Sequence, residues 1–103
     1  MKKQIERIKL MEKHLECASE AVASLSGALE DYAGAQESLK ALESYYGSKE
    51  WKKDFHDDEM GLLPPDLKRG VLSEDGIWNL LSDASELNKR LQRFKAHSET
   101  EVL

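Results

Sequence analysis

The chain has 103 residues, with 15 lysines and arginines against 20 acidic residues and a formal net charge of −5. At roughly 100–200 residues per domain this predicts one domain, and the acidic balance excludes nucleic-acid binding through bulk charge. The 40% hydrophobic content is too high for a disordered acidic tail, and a single cysteine excludes both an intrachain disulfide framework and a multi-thiolate metal centre.

Met1-Lys2-Lys3 is followed by Gln4-Ile5-Glu6-Arg7 rather than by an apolar run, so no export signal is expected. No stretch approaches the roughly 20 apolar residues of a membrane span. With one free thiol, the expected location is the cytoplasm.

From Ile8 the apolar residues alternate spacings of three and four: Ile8, Met11, Leu15, Ala18, Val22, Leu25, Leu29, Tyr32, then Leu39, with Gln36 the polar exception. A 3.5-residue period kept over four heptads predicts a helix that packs lengthwise on other helices. Leu42, Tyr45 and Tyr46 extend the face, and Gly47 is expected to end the helix in the left-handed conformation. One helix from 2 to 46 is predicted; a break near Gly27 is the alternative, since a glycine costs about 1 kcal/mol relative to alanine in a helix. Beside the seam lie Ala21, Ala28 and Ala35 on one side and Ser19, Ser26 and Ala33 on the other. Residues this small let helices approach closely on both sides, which favours a bundle.

Residues 47–73 form a connector. Ser48 is a fair N-cap, and Trp51 and Phe55 are an i, i+4 aromatic pair, so a short helix near 49–58 is predicted. Pro64-Pro65-Asp66 punctuates a loop.

Ser73 is expected to cap a last helix over 74–96, with Glu74 and Asp75 in its first turn and Leu72 and Ile77 as a hydrophobic staple. Ile77, Leu80, Ala84, Leu87, Leu91 and Phe94 form its seam, and Lys89, Arg90, Arg93 and Lys95 suit its C-terminal end. The tail 97–103 is expected to fray.

The block Tyr45-Tyr46-Gly47-Ser48, Glu50-Trp51, Asp54-Phe55, Asp57-Asp58-Glu59 and above all Lys68-Arg69-Gly70-Val71-Leu72-Ser73-Glu74-Asp75 resembles a bacterial family of small helical proteins catalogued as domain of unknown function 4298. The resemblance extends over nearly the whole chain and is sharpest from Lys68 to Asp75. It implies a helical fold and brings no activity, so it transfers no catalytic residue.

Together these elements predict an all-α single domain spanning 1–103. The long N-terminal and shorter C-terminal helices form an antiparallel coiled-coil-like hairpin, with a short helix in the connector. At this length the last helix cannot reach the N-terminal seam of Ile8, Met11, Leu15 and Val22, so a homodimer that completes a bundle is expected. The competing arrangement is a compact three-helix monomer bent near Gly27.

Candidate chemistry is sparse. Asp54, His56, Asp57, Asp58 and Glu59 are the densest group of metal-ligand types, but they lack the glycine turn of a calcium loop, and a solvated acidic turn is the commoner account. Cys17 and His14 stand at i, i+3 without a third group to complete a nucleophilic site, and Cys17 reads as a bystander thiol. No catalytic residue, cofactor or metal is expected, and the chain is not expected to be an enzyme.

Residues 1–13 carry Lys2, Lys3, Arg7, Lys9 and Lys13 against Glu6 and Glu12, a net +3, while 14–47 carry six acids and one lysine, a net −5. The basic start is expected to meet the acidic segment of a partner chain in an antiparallel dimer. Contact with nucleic acid or an anionic membrane is the less favoured alternative. Five of the seven aromatics, Tyr45, Tyr46, Trp51, Phe55 and Trp78, gather at the connector end. Either they form a small core, or Trp51 and Phe55 with Lys68 and Arg69 make an aromatic anchor with an ionic rim for a protein partner. The expected function is therefore a non-catalytic interaction or adaptor protein. A small regulator contacting nucleic acid or membrane through the basic helix is the alternative.

Overall fold

A computed structural model describes residues 1–101, with side chains placed through residue 98. Among the described residues the fold is all-α: four helices and one 3₁₀ turn, without a strand. In chain order these are α1 (Lys2–Gly34), α2 (Gln36–Tyr46), α3 (Lys49–Glu59), the 3₁₀ turn Gly70–Leu72 and α4 (Gly76–Glu101). The chain divides into two compact units, Met1–Glu37 and Ser38–Leu103.

The first unit is built on α1. The helix expected over 2–46 is interrupted, though not at Gly27, through which it runs unbroken; the irregularity falls at Ala35. There φ and ψ are −88° and −5°, and the Ala35 N–H is shared between the carbonyls of Asp31 and Tyr32, each at 3.1 Å. The Gln36 side-chain amide then donates to the Tyr32 carbonyl at 3.0 Å. A neighbouring glycine, Gly34, weakens the helix locally, and a side chain competing for a backbone carbonyl loosens the ladder. The one polar residue in the seam thus marks the true irregularity. No residue of α1 is buried.

In the second unit, α2 ends at Tyr46, but not by a left-handed glycine. Gly61 is the one glycine with positive φ among the described residues, so the expected conformation at Gly47 is corrected. Only two residues separate α2 from α3, and Ser48 serves both helices. Its hydroxyl donates to the Tyr45 carbonyl and accepts from the Trp51 N–H at 3.2 Å, the cap anticipated for α3. At the other end of α3, Gly61 (φ 71°) supplies the left-handed residue. The Gly61 N–H bonds to the Asp58 carbonyl and the Leu62 N–H to the Asp57 carbonyl, both at 3.0 Å; this is a Schellman closure.

The 3₁₀ turn is the element that both α3 and α4 approach. Leu72 within it and Ile77 in the first turn of α4 are, among the described residues, the buried hydrophobic side chains, 6% and 2% exposed. They are the pair anticipated as a staple. The start of α4 is corrected from residue 74 to Gly76, because Ser73 caps a turn that precedes the helix: its hydroxyl accepts from the Gly76 N–H at 3.1 Å and donates to the Gly70 carbonyl at 2.7 Å. Glu74 and Asp75 consequently lie ahead of the helix. The fraying expected from 97 is corrected for residues 97–101, which continue α4; residues 102 and 103 lie outside the described residues.

Candidate interaction surface

The connector end of the second unit is organised around Trp51. Its ring stacks on Phe55 with centroids 5.1 Å apart and meets Tyr46 edge-on at 4.9 Å. Its indole N–H donates to the Val71 carbonyl at 2.8 Å, which ties α3 to the 3₁₀ turn. Trp51 and Phe55 are half-buried, while Trp78 on α4 stays 57% exposed. The expected aromatic cluster therefore splits: Tyr46, Trp51 and Phe55 pack against one another, and Trp78 is exposed.

The acidic run of α3 is taken up by structural partners. Asp54 accepts from the Tyr45 hydroxyl at 2.7 Å, Asp57 pairs with Lys53 at 3.0 Å, and Asp58 pairs with Arg69. The hydrogen bond to Asp54 holds the Tyr45 phenol in its protonated form, and partial burial and the Asp54 charge add to this, raising its pKa from 10.0 to about 12. Among the described residues no three of His, Cys, Asp and Glu are grouped to hold a metal ion.

Arg69 turns into the connector. Besides Asp58 it donates to the carbonyls of Pro65 at 3.2 Å and Pro64 at 3.4 Å, which fixes the proline loop against α3. Lys68, its neighbour, is exposed and lines a mainly apolar groove of about 310 Å³ with Leu42, Val71, Ile77 and Leu80. The structure therefore unites Trp51 with Phe55, joins Arg69 to their helix through Asp58, and sets Lys68 at the edge of a separate groove. A second depression of about 620 Å³ is lined by Tyr46, Trp78, Leu81 and Lys89 among others. Trp78 is among the connector-end aromatics expected to form either a small core or a recognition surface, and it is exposed; Leu42 was expected only as part of the apolar face of the first helix. The signal for the exposure of Trp78 is its place outside the α4 seam.

In the first unit, Ile8, Met11, Leu15 and Val22 are exposed by 51, 52, 61 and 70%. Cys17 is also exposed. Among the described residues no helix is long and apolar enough to cross a membrane.

The family model described as a domain of unknown function (DUF4298) matches residues 8–96, and the chain belongs to that family. No curated protein and no solved structure matches the chain.

Proposed function

Taking membership of that family as given, we propose that the chain is a non-catalytic helical interaction module. It pairs with a second copy of itself through α1, completing a bundle, and offers the connector end of its second unit to a protein partner. The observation that carries this is the exposure of Ile8, Met11, Leu15 and Val22, in a helix with no buried residue. At about 1.5–3 kcal/mol per large apolar side chain carried from full exposure to full burial, and with little more than half of each of these four still exposed, covering them is worth about 3–7 kcal/mol. That is comparable to the whole stability of a small domain, so a seam kept this regular from Ile8 to Tyr32 is a surface for helix packing.

The connector end supports the second half of the reading. Trp51 and Phe55 are held rigidly from within, Trp78 is exposed, and Lys68 borders an apolar groove. Aromatic anchors with a charged rim are a common composition for protein interfaces.

The test is the double variant Met11→Glu/Leu15→Glu, which places charge in the seam without touching the second unit. It should lower the mass in solution from dimer to monomer while leaving the fluorescence of Trp51 and Trp78, both in the second unit, unchanged. An association state equal to that of the unaltered chain would overturn the proposal.

A further inference from the structure

We infer that α1 pairs with α1 of a second copy in antiparallel orientation, the basic start of each lying along the acidic stretch of the other. This rests on the dimer proposed above and adds its geometry. The exposed seam of α1 is apolar along its length, with Ile5, Leu25 and Leu29 also exposed, so hydrophobicity favours pairing without choosing a direction. Charge chooses. Residues 2–13 hold five cations and two acids, whereas residues 14–34 hold Glu16, Glu20, Glu30 and Asp31 and no lysine or arginine. A parallel pair sets like charge against like over both halves; an antiparallel pair sets each half against its opposite.

Offsets that keep both seams in phase recur every heptad, and two of them set an apolar residue opposite each of Ile8, Met11, Leu15 and Val22. One places Lys3 opposite Glu30 and pairs Ile8 with Leu25 and Met11 with Val22; the other places Lys9 opposite Asp31 and pairs Met11 with Leu29 and Leu15 with Leu25. Either covers the exposed N-terminal seam. The flanking Ala21, Ala28, Ser19 and Ser26 let the helices approach closely. Most of the charges, such as Lys3, Lys9, Glu16 and Glu30, lie off the positions that border the seam. The preference therefore comes from the field of the helix rather than from contact ion pairs, and salt weakens it.

A spin label at Lys3→Cys in a Cys17→Ser chain, read by double electron–electron resonance, tests the orientation. At 1.5 Å per residue the two labels of an antiparallel pair lie about 40–50 Å apart, whereas a parallel pair holds them within about 25 Å, given helix axes 8–10 Å apart. The expected result is a dimer with the long distance. A dimer with the short distance overturns the antiparallel assignment and leaves the dimer standing, and a chain that stays monomeric by light scattering overturns both. Reversing Lys3 and Lys9 to Glu should weaken association at low salt, and adding Glu30→Lys and Asp31→Lys should restore it. Weakening that persists in the fourfold variant counts against the pairing of opposite charges.

Discussion

The indole N–H of Trp51 donates to the carbonyl of Val71 at 2.8 Å, twenty residues further along the chain. This bond joins α3 to the 3₁₀ turn on which α4 also converges, so the second unit depends on a contact that neither helix makes alone. Trp51→Phe keeps one aromatic ring at this position and removes the donor with the five-membered ring that carries it. It should cost about 0.5–1.5 kcal/mol in urea unfolding. Trp51→Ala, which also removes the stacking on Phe55 and Tyr46, should cost distinctly more. Equal losses for the two variants would show that the hydrogen bond, and not the ring, is the tie.

Gly76 and Gly27 should respond oppositely to alanine. A Cβ at Gly76 would sit 2.5 Å from the Ser73 hydroxyl oxygen and 2.6 Å from the Gly70 carbonyl oxygen, whereas at Gly27 nothing lies within 4 Å. Gly27→Ala should therefore raise thermal stability by up to about 1 kcal/mol through helix propensity. Gly76→Ala should lower it by about 1–3 kcal/mol, because the backbone carbonyl of Gly70 cannot swing aside as a side chain can. Stabilisation by both substitutions would contradict the close approach at the start of α4.

Arg69 should behave as a brace for the proline loop. Its pair with Asp58 is partly buried and its other donors reach the Pro64 and Pro65 carbonyls. Arg69→Ala should cost about 1–2 kcal/mol in unfolding, and Arg69→Lys should recover only part, since an ammonium cannot reproduce the planar fork. Full recovery by lysine would reduce the contact to simple charge.

Tyr45 should titrate late. Its protonated phenol is the donor to Asp54, so the native state favours the neutral form, and the pKa rises from 10.0 to about 12. The stability from this bond is present below pH 10, where native and unfolded phenols are both neutral. It is lost as the pH climbs from about 10 through about 12, where the unfolded chain has already released its proton. Absorbance titration at 295 nm should show a tyrosine near 12 that falls toward 10 in Asp54→Asn. A titration unchanged by that substitution would show that the hydrogen bond does not set the shift.

What could be read from the sequence was largely local. Ser48, Trp51 and Phe55 located α3 because a cap reaches only three residues ahead, and the structure places the helix at Lys49–Glu59. Leu72 and Ile77, five residues apart, were recognisable as a staple and are buried. Where glycines were read by type alone, the reading slipped. Gly47 and Gly61 are both plausible helix stops, and only the hydrogen bonds of the following residues select Gly61 as the left-handed one. The helix irregularity followed the side chain of Gln36 rather than the flexibility of Gly27. Contacts across longer spans left no local pattern: the Trp51 to Val71 bond and the Arg69 to Asp58 pair depend on how the connector folds back. For that reason the connector residues could be grouped by type in advance but not assigned to separate surfaces, with Arg69 turned inward and Lys68 at a groove.

Sedimentation equilibrium of the unaltered chain at high micromolar concentration tests the self-association most directly. A homodimer through α1 requires about twice the 11.7 kDa mass of one chain, falling toward a single mass on dilution. A species of 11.7 kDa throughout that range would mean that Ile8, Met11, Leu15 and Val22 are not covered by a second copy.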